Sequence, residues 1–290
     1  MRFALFGKSG QEVLSQGEKD LLECLASYKD ELLIETGYLN LIRQSLGHDY
    51  KPAGEICDRD FSADFALSIG GDGTFLRTAG QVAHKNIPIL GINRGRLGFL
   101  AYIPSDLAAA AIRTIHDGTY QIVGRNLLEL GMDSVSEDIP RYALNDISVL
   151  KHDMSSMISI NTKVNGQHLV TYMADGLVVS TPTGSTAYSL SIGGAIIDPA
   201  TNVIELTPVA PHNLSMRPIV LQDSSVITIN VNSRSHKFLI SVDGHSFSAS
   251  EEQSITIRRA PYQIRTVQPK GSDFFTALRE KMNWGVDQRL

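Results

Sequence analysis

Over the first 120 positions the apolar residues follow two rhythms in turn. Short, mostly apolar runs at 3–6, 31–35, 65–69 and 87–92 predict strands, those at 3–6 and 65–69 buried. Between them lie helical stripes: 18–28, with Leu21, Leu22 and Leu25 on one face, then 37–46 and 74–83. A further helix at 106–116 is Ala-rich, opens at Ser105 or Asp106 and stops near Gly118. This β-α-β-α order predicts an α/β domain built on an open, mostly parallel sheet. Beyond about residue 120 the rhythm shortens to strand-like runs at 127–132, 143–150, 157–164, 168–172, 177–180, 225–231, 238–242 and 254–258. Asn165-Gly166 and Asp243-Gly244 are hairpin signals between such runs. The second half is therefore expected to be a mostly antiparallel β-sandwich. Residues 273–284 return to a helical pattern, with Phe274, Leu278 and Met282 on one stripe. The expected domains are 1–122 (α/β), 123–268 (β-sandwich) and 269–290 (a helix returning to the first domain).

Length and composition agree with this division. A chain of 290 residues is long for one hydrophobic core, and 42% apolar residues is ordinary for a globular protein. A net charge of −5 gives no general attraction to nucleic acid or anionic lipid, so neither is an expected partner. Cys24 and Cys57 make neither a disulfide framework nor a zinc pair. The opening residues are too short for a signal-peptide core, and no window approaches the roughly 18 apolar residues of a membrane span. A reducing cytoplasm is the expected compartment.

Two segments carry candidate chemistry. Gly70-Gly71-Asp72-Gly73-Thr74 lies between a predicted strand and a predicted helix. Such a turn aims backbone N–H groups and the positive end of a helix at one spot, which suits phosphate. A carboxylate there opposes an anion, and makes sense as a proton acceptor, a hydroxyl anchor or a partner of Mg²⁺. Taken alone, the segment is equally a tight turn in which Asp72 caps the helix. Leu76 occupies the third small position of a dinucleotide fingerprint, and Gly7-Lys8-Ser9 lacks the first glycine of a phosphate-binding P-loop. Arg94 and Arg96, among the glycines of 91–98, are either phosphate holders or solvated surface residues. The second segment, 175–191, runs from an apolar strand into a stretch dense in hydroxyls, suited to a ribose or a base edge or to an ordinary capped loop. Asn145-Asp146 interrupts a core-type strand, as a binding edge or a plain turn does.

Together with Asn93-Arg94-Gly95-Arg96-Leu97-Gly98-Phe99-Leu100 and Pro211-His212-Asn213-Leu214-Ser215-Met216-Arg217-Pro218, these segments resemble the NAD kinase family over nearly the whole chain. The glycine turn alone is shared with lipid kinases; its combination with Thr181-Pro182-Thr183-Gly184-Ser185-Thr186-Ala187-Tyr188 is specific. The resemblance implies transfer of the ATP γ-phosphoryl group to the 2′-hydroxyl of the adenosine ribose of NAD. It implies Asp72 as the base, with Gly73 near phosphates. It also implies dinucleotide contacts from Arg77, Asn145, Asp146, Asp175, Thr186, Ala187, Tyr188, Ser189, Leu190, Ser191 and His245. Mg²⁺ is expected with ATP, without a dedicated metal site, and the family's assembly implies a dimer or tetramer with shared sites. Three positions depart from the usual pattern: Asp146 where many members have Glu, Ile192 for a common Ala, and His245 for a frequent Gln. A lipid kinase would want a membrane-facing amphipathic segment, and a nicotinamide oxidoreductase the missing third glycine. A dinucleotide sensor has no need of Asp72.

Overall fold

The computed structural model describes residues 1–8, 13–95, 98–132, 139–153, 156–270 and 273–282. Ser9, Arg96, Leu97 and Trp284 lie outside the described residues. The chain divides into two compact units, Met1–Gly124 with Ile264–Leu290, and Arg125–Gln263.

The first unit is an α/β layer structure. Strands β1 (Arg2–Gly7), β2 (Glu31–Glu35), β3 (Gly54–Ile56), β4 (Phe65–Gly70), β5 (Ile89–Asn93) and β6 (Ile103–Pro104) alternate with helices α1 (Gln16–Ser27), α2 (Thr36–Leu46), α3 (Asp72–Val82) and α4 (Ala108–His116). The strands run in the order β3-β2-β1-β4-β5, and each of these pairs is parallel. All six residues of β4 and all five of β5 are buried, because helices cover both faces, so continuous apolar runs form there rather than an alternation. The core joins Phe3, Leu5, Leu67 and Ile92 of the sheet to Leu21 and Leu25 of α1, Leu39 and Ile42 of α2 and Ile112 of α4. From β1 the chain builds outward through β2 and β3, then returns to place β4 on the other side of β1. The order therefore reverses between β1 and β4, and in open parallel sheets ligands bind outside the carboxyl ends of the strands at such a switch point. The Gly70–Thr74 turn stands there.

The second unit is made of two antiparallel sheets. Its strands are β7 (Tyr120–Gly131) from Arg125 onward, β8 (Tyr142–Ala143), β9 (Asp146–Lys151), β10 (Ile158–Val164), β11 (Gln167–Ala174), β12 (Gly176–Ser180), β13 (Val203–Val209), β14 (Ile219–Gln222), β15 (Ile227–Asn232), β16 (Lys237–Val242), β17 (His245–Ser250) and β18 (Ile255–Pro269) as far as Gln263, with one short helix, α5 (Tyr188–Ser191). One sheet runs β14-β13-β12-β9-β16-β17, and the other includes β11-β10-β15-β18. Both hairpin turns form, with Asn165 and Asp243 in the left-handed region at φ +51 and +47, each followed by a glycine with positive φ. Ile147, Val149, Val179 and Ile240 of one sheet share a core with Ile158, Ile160, Ile229 and Ile257 of the other, which makes a sandwich. The last helix, α6 (Phe274–Met282), is counted with the first unit. No helix among the described residues is long and apolar enough to cross a membrane.

Candidate functional site

In the first unit the site begins where β4 ends. Gly71 is the N-cap of α3 and offers no side chain, and its carbonyl accepts the N–H groups of Thr74 and Phe75. Asp72, the first helical residue, does not cap its own helix. Its carboxylate reaches the loop after β5, where Oδ2 accepts the Phe99 N–H at 3.0 Å and Oδ1 accepts those of Leu100 and Ala101 at 3.1 and 3.0 Å. Asn93 closes the same loop from the other side, donating to the Ala101 carbonyl at 3.0 Å and accepting from Gly95 N–H at 2.7 Å. Two glycines permit the approach. A Cβ on Gly98 would lie 2.0 Å from Asp72 Oδ1, and one on Gly70 would lie 2.3 Å from Thr74 Oγ1. By contrast a Cβ on Gly73 would meet nothing within 4 Å, so the face of the turn beside Asp72 is open. Lys281 of α6 stands over this loop, with Nζ 3.5 Å from Asp72 Oδ2 and 4.3 Å from the centre of the Phe99 ring.

The two arginines beside this turn are engaged elsewhere. Arg94 pairs with Glu18, which is fully buried, at 2.8 Å, and also donates to the Val13 carbonyl. Glu18 further accepts from Tyr38 Oη at 2.9 Å and from Ser15 N–H at 2.7 Å. Arg94 is thus neither a free phosphate holder nor a solvated surface residue. Arg77 pairs with Glu35 and donates to the Gly7 carbonyl at the end of β1.

In the second unit, Asn145 and Asp146 begin β9 and are locked by the β16–β17 turn. The Asp243 carboxylate accepts the N–H groups of Leu144, Asn145 and Asp146 at 2.7, 2.8 and 3.1 Å, and Asp243 N–H returns a bond to the Asp146 carbonyl at 3.1 Å. Burial, and then the charge of Asp243, push the Asp146 carboxyl up from 3.8 to about 7. Burial also raises Asp243, against the opposing effect of its three N–H donors. Beside them Thr181 Oγ donates to the Leu144 carbonyl at 2.6 Å and accepts from Gly184 N–H at 3.0 Å. A Cβ on Gly184 would lie 2.0 Å from the Asn145 carbonyl oxygen, so the glycine lets the hydroxyl-rich loop close on the Asn-Asp pair.

Most hydroxyls of that loop turn inward. Ser185 Oγ donates to the Pro182 carbonyl at 2.7 Å and accepts from Ile197 N–H at 3.1 Å. Ser189 Oγ donates to Glu205 at 2.7 Å, and Glu205 also takes Ala195 N–H at 2.7 Å. Ser189 is thus fully buried as an anchor of α5, whereas Tyr188 and Ser191 are exposed and Thr186, Ala187 and Leu190 are half-buried. His245 is exposed at the start of β17. Asp175 stands apart. It pairs with Lys151 at 2.8 Å, beyond the Gly176 end of β12, while Ser180 at the other end is the register partner of Asp146. At ~3.3 Å per residue Asp175 is about 16 Å along the chain from Ser180.

The structure therefore gathers Asn145, Asp146, the 181–191 loop and the 243–245 turn into one cluster of the second unit. Asp72 and Gly73 belong to a cluster of the first unit, and Asp175 lies outside the cluster of its own, second unit. Glu205, the carboxylate role of Asp243, and Lys281 were missed. Glu205 had left a signal, a lone charge inside the apolar run Val203–Val209. Among the described residues no group of three or more His, Cys, Asp or Glu side chains is placed to hold a metal ion.

Residues 29–120 match the family model described as the ATP-NAD kinase N-terminal domain, and residues 144–269 that of the ATP-NAD kinase C-terminal domain. The NAD kinase of Bacteroides fragilis is 46% identical over 290 residues, covering 100% of both chains. Among solved structures, yeast NADH kinase complexed with NADH superposes with a TM-score of 0.85 at 23% identity, covering 100% of this chain and 89% of that one. An NAD kinase from Archaeoglobus fulgidus in complex with ATP superposes with a TM-score of 0.75 at 24% identity, covering 98% and 99%. At those identities the two superpositions establish the fold.

Proposed function

The chain belongs to the ATP-NAD kinase family, and from that membership we infer that it is an enzyme that phosphorylates NAD to NADP, moving the ATP γ-phosphoryl group to the 2′-hydroxyl of the adenosine ribose. We assign the reacting centre to Asp72. The observation that carries the assignment is its carboxylate, fixed by three backbone N–H groups at the switch point of the parallel sheet while the turn beside it stays open. A carboxylate held so rigidly meets a sugar hydroxyl in one orientation only, which is the positioning on which phosphoryl transfer chiefly depends. The proton leaves late, as the new oxygen–phosphorus bond forms, so the acceptor's task is chiefly one of position.

The Asn145–Asp146 cluster holds nucleoside hydroxyls and base edges. Its backbone is set by Asp243 and Thr181, which leaves the Asn145 and Asp146 side chains and the exposed ring of Tyr188 for the dinucleotide. Among the described residues no carboxylate or imidazole cluster is placed to hold a resident cation, and we assign Mg²⁺ to the phosphates of ATP. Asp175 is proposed to serve a site on another copy of this chain in a homo-oligomer. Its distance from the Asn145–Asp146 cluster of its own chain supports that arrangement. The free thiols of Cys24 and Cys57 suit a reducing cytoplasm.

The test is incubation with NAD, ATP and Mg²⁺, read by an NADP-specific dehydrogenase. NADP that accumulates only when all three are present is the expected result. No NADP from folded protein would overturn the assignment.

A further inference from the structure

We propose that Lys281 of α6 is a phosphoryl-binding residue of the reaction, its ammonium meeting the transferred phosphate directly above Asp72. The proposal rests on the assignment of Asp72 to the reacting centre.

Three observations point the same way. Lys281 Nζ lies 3.5 Å from Asp72 Oδ2, the oxygen that also takes the Phe99 amide at 3.0 Å. Among the described residues it is the longest of four contacts to this carboxylate and the only one made by a side chain. Next, the ammonium is held in place by an aromatic surface. It stands 4.3 Å from the centre of the Phe99 ring, and Phe274, from the first turn of α6, packs against that ring at 6.3 Å between centroids. The ring belongs to the same loop whose amides grip Asp72, so base and ammonium are positioned by one piece of backbone. Finally, the pair is accessible: the Lys281 and Asp72 side chains are 33% and 31% exposed. An ion pair this exposed adds little to stability. One carboxylate oxygen and one ring face also leave donor capacity on an ammonium that carries three N–H groups.

The chemistry needs a cation at that place. The sugar hydroxyl approaches Asp72, and the phosphoryl group approaches the hydroxyl, so a carboxylate and the phosphoryl oxygens converge with charges of the same sign. In the step itself the O–H bond breaks and its proton passes to Asp72. A bond forms between the sugar oxygen and the γ-phosphorus. The bond from that phosphorus to the oxygen bridging it to the β-phosphate breaks, and ADP leaves with that electron pair. Protonation of Asp72 removes the charge that Lys281 faces, just as the phosphoryl oxygens come within its reach. The ammonium changes partner from carboxylate to phosphate as the proton moves, and Asp72 later returns the proton to solvent.

The test uses the full chain and four variants: Lys281→Met, Lys281→Arg, Asp72→Asn, and Arg279→Ala as a control on the same helix, where Arg279 contacts the exposed Thr276 hydroxyl. Lys281→Met keeps the stem and its packing but removes the charge. Its kcat should fall about 100-fold, the usual cost of deleting one transition-state donor. NAD affinity by calorimetry and the melting temperature should remain close to those of the parent. Lys281→Arg should recover at least about a tenth of the parent kcat, and Arg279→Ala should match the parent. The proposal is overturned if Lys281→Met keeps kcat within about threefold. It is equally overturned if Lys281→Arg is as impaired as Lys281→Met, or if the Met loss appears as weakened NAD binding or melting instead of kcat. Asp72→Asn separates the two assignments. If it retains kcat while Lys281→Met loses it, the base assignment fails, and the partner exchange on which the lysine's role rests fails with it. If the reverse holds, the lysine alone fails.

Discussion

At the scale of single residues the site is made by carboxylates that bind backbone. Asp72 holds the 99–101 loop, Asp243 holds 144–146 and Glu18 holds Ser15. Sequence exposed the location of Asp72 and Asp146 because glycines and a polar pair interrupt apolar strands there. It did not expose what their side chains touch, since each partner is remote in the chain. Arg94 shows the limit: among glycines it has the look of a phosphate ligand, and only the fold brings Glu18 to it. Gly98→Ala should be a severe change, because its Cβ would lie 2.0 Å from Asp72 Oδ1. Displacing that carboxylate by about 1 Å should cost on the order of 100-fold in kcat, measured with saturating NAD and ATP. Asp146 supplies a pH signature. Its carboxyl ordinarily ionises at 3.8 and does so at about 7 in the folded chain, so between those values the folded state holds a proton that the unfolded state has lost. Stability is therefore greatest below about pH 4 for this group and is lost as pH rises through about 7. Asp146→Asn should be more stable than the parent at pH 8.5, by a few kcal/mol at most, and should flatten the stability profile between about pH 4 and about 7 in denaturant titrations. An unchanged profile would show that Asp146 does not titrate there.

At the scale of elements, the parallel strands and their helices were legible because burial on both faces leaves continuous apolar runs flanked by helical stripes. The sandwich was less so. Val203–Val209 contains Glu205 and Pro208, yet it is an interior strand with neighbours on both sides. The glutamate tolerates burial because Ser189, Ser180 and Ala195 donate to it. The strand β18 was expected at 254–258 and runs to Pro269, its second half disguised by Ala260-Pro261. The outer strands Ile219–Gln222 and His245–Ser250 were not foreseen, since one is short and the other is mostly hydroxyl-bearing. The Glu205 network also makes a prediction about α5. Glu205→Ala leaves two hydroxyls and an amide without their acceptor and should cost roughly 2–4 kcal/mol of unfolding free energy. Glu205→Gln keeps one acceptor oxygen and lets the hydroxyls rotate, so it should cost well under half as much. Paired denaturant curves decide this, and a raised KM for NAD in Glu205→Ala should follow, because α5 carries Tyr188 and Ser191.

At the scale of the whole molecule, one chain carries a fixed carboxylate in its first unit, the Asn145–Asp146 cluster in its second, and Asp175 about 16 Å from that cluster along β12. If Asp175 serves a neighbouring copy, Asp72→Asn and Asp175→Ala chains should complement each other. Mixed and reassembled at equal amounts, two such chains regain one intact site per mixed dimer, or about a quarter of parent activity. Activity no greater than the sum of the separate variants would contradict a shared site. The account as a whole depends on Asp72 acting at the reacting centre, and the most direct measurement is Asp72→Asn assayed for NADP formation alongside calorimetric NAD binding. Asparagine keeps one oxygen for the Leu100 and Ala101 amides but turns a donor toward Phe99 and Lys281, so some loss of stability is expected. The account predicts NAD affinity within a few-fold of the parent and loss of most of kcat. A variant that turns over at the parent rate, with its defect confined to NAD affinity, would contradict it.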